Sequence, residues 1–211
     1  MCSSDLSIFY INLDRRPDRR QHIEHELQRI GWFEQAERFS AVDNPSNPAL
    51  GCSHSHLEVL KRARLQKKKM AIVVEDDLVW EYETEDIKNK LKKVLDGRIP
   101  WKVILLGGNH GAPTTAMNSA CRRVTACQTT TGYIVHHQYY DTLIQNMEEG
   151  IHLLEQYPTE RTQYAIDRYW LQLQKKDMWL ILDPAVATQL PGYSDVEEKN
   201  VDYQDLMRRK V

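Results

Sequence analysis

Met70-Ala71-Ile72-Val73-Val74-Glu75-Asp76-Asp77 decides how the rest of this chain is read. Its apolar run, rich in β-branched side chains, predicts a buried strand. Three carboxylates follow at the carboxyl end of that strand. Like charges so close repel and raise one another's pKa. A cation relieves the repulsion, and an all-oxygen donor set suits Mg²⁺ or Mn²⁺. In open α/β sheets, ligands bind outside the carboxyl ends of the strands. The stretch therefore predicts a metal-dependent enzyme acting on a nucleotide-linked substrate. A solvated acidic strand end is the plainer alternative, and the apolar run argues against it.

Outward from this strand the chain alternates between the two periods. Upstream lie an apolar strand at residues 6–13 and a helix with Pro17 in its first turn, Ile23, Leu27 and Ile30 on one face, and Gly31 closing it. A short strand at 38–42 leads into a turn-rich loop at 43–48, then a helix capped by Ser53 or Ser55 that presents Leu57, Leu60 and Ala63. Downstream come a helix marked by Ile87, Leu91, Val94 and Leu95, a strand at 101–106 and a glycine-rich loop at 107–120, read as a mobile lid. Strands at 122–128 and 131–135, helices at 138–148 and 165–175, and strands at 179–182 and 185–190 follow. Residues 191–211 read as a tail or surface helix. The alternation predicts a single-domain α/β sandwich over residues 1–211 with a largely parallel sheet.

The 211 residues are enough for one substantial core, and 41% apolar with 27% charged residues is an ordinary globular composition. A net charge of −2 provides no basic field for nucleic acid or an anionic membrane. No stretch approaches the ~18 apolar residues that span a bilayer, so no transmembrane segment is expected. The first residues carry no secretory apolar region, which gives a cytoplasmic expectation, with a peripheral membrane or virus-encoded setting as the alternatives. Cys2, Cys52, Cys121 and Cys127 lack the short spacing of a zinc site and read as free thiols.

Tyr10-Ile11-Asn12-Leu13-Asp14-Arg15-Arg16-Pro17-Asp18-Arg19-Arg20, Gly51-Cys52-Ser53-His54-Ser55-His56, Val73-Val74-Glu75-Asp76-Asp77, Thr131-Gly132-Tyr133-Ile134-Val135 and Ala165-Ile166-Asp167 occur in that order. Together they resemble glycosyltransferase family 25, which includes lipopolysaccharide glycosyltransferases and collagen galactosyltransferases. The chain departs from the family at His54, where an aliphatic residue is usual. The resemblance implies the GT-A fold, a Rossmann-like α/β/α sandwich that binds a nucleotide sugar and a divalent cation. It also implies inverting transfer of a hexose, galactose or glucose, from a UDP-sugar to a hydroxyl of a glycan or glycoprotein acceptor.

On this resemblance, Asp77 is the principal ligand of Mn²⁺ or Mg²⁺. Strand alternation puts Glu75 on the same side, where it meets the ribose or assists the metal. Asp76, facing away, either binds sugar hydroxyls or stabilises the turn. Asn12 and Leu13 contact the nucleotide at the sheet edge, and Arg15 and Arg19, four apart, share a helix face toward phosphate. Arg16 and Arg20 read better as surface charge. Ser55 and His56, at the start of a helix whose N–H groups favour anions, face the donor. His54 and His56 do not share a helix face, which argues against a zinc site between them. Asp167 is the candidate general base that an inverting transfer requires; its plainer role is an acidic residue favoured in a helix's first turn. Gln189 and Ser194 fit a segment closing the donor site. The alternatives are a nucleotide-sugar-binding module without turnover and a metal-dependent diphosphate hydrolase.

Overall fold

The computed structural model describes residues 6–208. Strand β1 (Leu6–Asn12) sets Phe9 and Ile11 on one face of a sheet and Ile8 and Tyr10 on the other, as strand alternation requires. It is followed by α1 (Pro17–Arg29), β2 (Ala36–Ser40), α2 (Pro48–Leu65), β3 (Met70–Glu75), β4 (Leu78–Trp80) and α3 (Thr84–Leu95). The middle of the chain forms β5 (Val103–Leu105), β6 (Asn109–His110), β7 (Thr115–Ala116), β8 (Cys121–Arg123), β9 (Cys127–Gln128), β10 (Gly132–His136) and α4 (Tyr140–Gln156). Three short helices, α5 (Arg161–Tyr164), α6 (Ile166–Tyr169) and α7 (Leu171–Lys176), lead to β11 (Trp179–Leu182) and β12 (Ala187–Gln189). The hairpin β13 (Gly192–Ser194) and β14 (Lys199–Val201) precedes α8 (Gln204–Met207).

Eight strands form the main sheet in the order β2-β1-β3-β10-β5-β11-β8-β7. One face packs Leu57, Leu60 and Ala63 of α2 and Leu143, Ile144 and Met147 of α4. The other packs Ile23 and Leu27 of α1 and Ile87, Leu91 and Val94 of α3. Two cores on opposite faces of one sheet make the expected α/β/α sandwich.

The expectation of a mostly parallel sheet is corrected. β10 runs antiparallel to both β3 and β5, and β8 runs antiparallel to β11 and β7. No helix carries the chain back between β5 and β10, so β10 starts at the edge where β5 ends and must run in the opposite direction. The sheet is mixed.

Other boundaries also move. Asn47 caps α2, its side chain accepting from the Leu50 N–H at 3.2 Å, with Pro48 at the first helical position. Ser53 and Ser55 therefore lie inside the helix, their hydroxyls bonded to the Ala49 and Gly51 carbonyls, and neither caps it. The helix expected at 165–175 begins one residue later, because Ala165 is extended, and it is interrupted by a turn at Trp170 between α6 and α7. Gly107 and Gly108, which open the 107–120 segment, are packed down, since a Cβ on Gly107 would lie 1.9 Å from the Ala187 carbonyl oxygen, while most of residues 111–119 are exposed. Residues 192–207, expected as a tail or surface helix, form the β13–β14 hairpin and α8; residues 209–211 lie outside the described part.

No helix among the described residues is long and apolar enough to cross a membrane. Cys52, Cys121 and Cys127 are free thiols, as expected, and Cys2 lies outside the described residues.

Candidate functional site

β1 leads through α1 to β2 on one side of it, and β2 leads through α2 to β3 on the other. The two connections lie on opposite faces, which opens a crevice at the carboxyl ends of β1 and β3. Parallel pairing of Ile11 with Glu75 brings those ends level. A cavity of about 230 Å³ lies there, and Asn12, Leu13, Arg15, Arg19, Ser55, His56, Glu75, Asp76, Asp77 and Asp167 all border it. So do Gln189 and Ser194, whereas none of residues 107–120 does.

The strand ends at Glu75, so side-chain alternation stops before Asp76 and Asp77, which lie in a turn. This corrects the expectation that Asp76 faces away: all three carboxylates border the cavity. Asp76 Oδ2 accepts from Asn12 Nδ2 at 2.7 Å and Oδ1 from Arg19 Nη1 at 3.2 Å. Burial raises the Asp76 carboxyl above its ordinary range against those two bonds. Asn12 is in turn held by Arg38, whose Nη2 is 2.8 Å from its Oδ1.

Asp77 Oδ2 accepts a longer bond from Arg19 at 3.4 Å, and its Oδ1 is buried with no hydrogen-bond partner among the described residues. Burial, together with the charges of Glu75 and Asp76, pushes its pKa up to about 8 against the pull of Arg19 and of the Gln189 side chain. A buried carboxylate oxygen lacking a donor is costly, and a cation is a partner that fits it.

Glu75 faces a different set of groups. Its Oε1 accepts from Thr130 Oγ1 at 2.8 Å and from His56 Nε2 at 3.2 Å, with Cys52 Sγ at 3.7 Å. Burial pushes the Glu75 carboxyl up, but the His56 contact, the Thr130 hydroxyl and the Arg19 charge outweigh it and leave it below its ordinary range. His56 is fully buried, and its Nδ1 lies 2.8 Å from Tyr133 Oη. The Cys52 thiol is raised well above its ordinary value by burial and then by the charges of Glu75 and Asp167.

Ser55 borders the cavity from inside α2. Its hydroxyl donates to the Gly51 carbonyl at 2.8 Å and accepts from the Val42 N–H at 2.8 Å, tying down the loop after β2. His54 points elsewhere, its Nε2 3.6 Å from Glu155 Oε1. Asp167 opens α6 with Oδ2 accepting from the Thr129 N–H at 3.1 Å. Burial raises its carboxyl, with Glu75 adding and the Thr129 bond opposing. Thr129 has a φ of 79°, a left-handed conformation uncommon for a β-branched residue, beside this carboxylate.

The C-terminal hairpin borders the cavity. Asp195 accepts from Arg15 Nη1 at 2.6 Å and Arg16 Nη1 at 2.7 Å, and Arg19 Nη2 donates to the Tyr193 carbonyl at 2.7 Å. Arg161 holds the Val196 carbonyl at 2.7 Å. Arg16, read from sequence as surface charge, is an anchor of this hairpin; Arg20 pairs with Glu24 along α1, as surface charge does. Sequence reasoning also missed Cys52, Thr129, Thr130 and Asp195 at the cavity. Only Cys52 left a signal, since it stands one helical turn before His56.

No family model matches the chain, and no curated protein matches it. Among solved structures it is similar to a glycosyltransferase involved in glycosylation of the major capsid of PBCV-1, with 11% identity, 92% of this chain and 96% of that one covered, and a TM-score of 0.47. It is similar also to the protein A197 from STIV, at 9% identity, 92% coverage of both chains and a TM-score of 0.48. A third is mannose-1-phosphate geranyltransferase from Thermus thermophilus, at 9% identity, 84% and 73% coverage and a TM-score of 0.47.

Proposed function

We propose that the chain is a metal-dependent, inverting glycosyltransferase of GT-A type, moving a hexose from a UDP-sugar to a glycan or glycoprotein hydroxyl. The observation that carries this reading is the buried Asp77 Oδ1, without a hydrogen-bond partner among the described residues, in a cavity that also holds arginines and the half-buried Asp167. Asp77 is the principal ligand for Mn²⁺ or Mg²⁺, with the Glu75 charge close by. When bound, the cation neutralises charge on a leaving diphosphate.

The chain's own residues supply the rest. Arg15 and Arg19 border the cavity with forked donors that suit a diphosphate, and Asp195 engages Arg15 together with the neighbouring Arg16. Asn12, fixed between Asp76 and Arg38, holds the rim of the nucleotide pocket with Leu13. His56 keeps Glu75 in place. Asp167 accepts the proton of the acceptor hydroxyl as it attacks the anomeric carbon; burial makes it a stronger base than a solvated aspartate.

The test is calorimetric titration with a panel of UDP-, GDP- and CMP-sugars, with and without Mn²⁺, on the wild-type protein and an Asp77→Ala variant. Metal-dependent binding of one UDP-sugar, lost in the variant, is the expected result. Absence of binding for every nucleotide sugar under both conditions overturns the proposal.

A further inference from the structure

We propose that Cys52, His56 and Glu75 form a second, separate metal centre that binds one Zn²⁺ ion through Sγ, Nε2 and Oε1. The fourth position opens to the cavity. The inference does not depend on the transferase reading, because it uses a soft donor set apart from Asp77.

Geometry carries it. The three ligand atoms lie within 4.8 Å of one another, with Glu75 Oε1 3.2 Å from the imidazole nitrogen and 3.7 Å from the sulfur. Zinc bonds of about 2.0–2.3 Å in a tetrahedron put ligand atoms roughly 3.3–3.8 Å apart, so these contacts are already close to coordination spacing. Cys52 and His56 stand four apart on α2 and share one face. Glu75 meets them from the end of β3, on a strand buried in the sheet.

The surroundings are those of a metal site. A zinc-bound histidine usually has its second nitrogen fixed by another group, which sets the tautomer. Here Tyr133 Oη does so at 2.8 Å, and its ring stacks on the imidazole with centroids 5.6 Å apart. The Thr130 hydroxyl orients the carboxylate at 2.8 Å. Thiolate and carboxylate together carry two negative charges, which Zn²⁺ balances in a buried position. Sulfur and imidazole also select zinc over Mg²⁺ or Mn²⁺. Without a cation the thiol keeps its proton, since burial and Glu75 disfavour the thiolate; coordination releases that proton to solvent as the Zn–S bond forms, and the imidazole proton moves from Nε2 to Nδ1, where Tyr133 Oη accepts it. All three ligands border the cavity, so water or a substrate oxygen completes the tetrahedron.

The experiment is titration of chelator-treated full-length protein with Zn²⁺ by calorimetry and with Co²⁺ by absorption spectroscopy. The wild type is expected to bind one equivalent of Zn²⁺, and Co²⁺ to give a thiolate charge-transfer band with the intense visible absorption of a tetrahedral ion. Cys52→Ser, near-isosteric and checked for folding by circular dichroism, is expected to lose the charge-transfer band. Tyr133→Phe keeps all three ligands and is expected to bind about 10–100-fold more weakly while retaining the band. Asp77→Asn keeps all three ligands and is expected to keep the band. Absence of the band in the wild type, or equal zinc affinity in wild type and Cys52→Ser, overturns the proposal. Since the charge-transfer band requires Cys52 and not Asp77, failure of the transferase reading and failure of this one are distinguishable.

Discussion

Arg16 Nη1 lies 2.7 Å from Asp195 Oδ2, although 179 residues separate the two. Arg15 Nη1 holds the other oxygen of the same carboxylate at 2.6 Å. Burial pushes Asp195 up, but the two guanidinium groups more than offset it and hold the carboxyl below its ordinary range. One carboxylate thus takes the donors that two arginines would offer to a phosphate, and it does so at the border of the cavity.

Asp195→Asn is therefore expected to tighten UDP binding by about tenfold, equivalent to about 1.4 kcal/mol, because the nucleotide no longer competes with a bound carboxylate. The same change loosens the β13–β14 hairpin, and a loss of about 1 kcal/mol lowers Tm by about 2–4 °C in a protein of this size. Calorimetry with UDP alone and a thermal melt read the two effects separately. Unchanged or weaker UDP binding would show that Asp195 does not occupy a ligand position.

Asp77 gives a pH dependence whose sign follows from its shift. Its pKa rises from 3.8 unfolded to about 8 folded, so between those values the native state holds a proton that the unfolded chain has released. Stability then falls as pH rises through that window, since the native state binds more protons. Asp77→Asn removes the penalty, and in metal-free buffer it is expected to melt higher than the wild type at pH 8 and nearly level with it at pH 4. Added Mn²⁺ stabilises the wild type by binding the native state and leaves the variant unmoved. Thermal melts at both pH values, with and without Mn²⁺, check all four expectations.

Much of this site was legible because it is made at strand ends. Asn12 and Glu75 each follow an unbroken apolar run, and parallel pairing of the two runs places their ends side by side. Strand direction was not legible. The Gly132–His136 segment has the same apolar pattern whichever way it runs, and only the lack of a crossover helix makes it antiparallel. The hairpin over the cavity was hidden for another reason. Residues 192–201 carry no period, and ion pairs to Arg15 and Arg16 from the far end of the chain position them. Cys52 was grouped with the other cysteines, although its helical spacing to His56 and that residue's contact with Glu75 are what give it chemistry.

Asp167→Asn tests the base. The amide can still accept from the Thr129 N–H, so the loop and the donor pocket are retained, but it cannot take a proton. The turnover number is expected to fall by about 10²–10⁴, with UDP-sugar affinity held within a few-fold. Because burial raises the wild-type carboxyl, the acid limb of kcat/KM is expected above the ordinary aspartate pKa. Activity is lost as pH falls through that limb, and the limb is absent from the residual activity of the variant. An unshifted limb in Asp167→Asn would move the role of base to another group.

Gly51→Ala asks whether the loop after β2 is part of the site. A Cβ at Gly51 would lie 2.5 Å from the Val42 carbonyl oxygen, a backbone atom that no side-chain rotation can move away. α2 and the 42–44 loop must then separate, which stretches the bond from the Val42 N–H to Ser55. Overpacking of this kind costs about 1–3 kcal/mol, and about 2–4 °C of Tm is expected for each kcal/mol. Val42, Asp43 and Asn44 border the cavity, and Asp43 also accepts from Arg15 Nε at 3.0 Å. Nucleotide affinity is therefore expected to fall along with stability. A melt and a UDP titration of the same sample would show whether both change; a lower Tm with undiminished affinity would place this loop outside the binding surface.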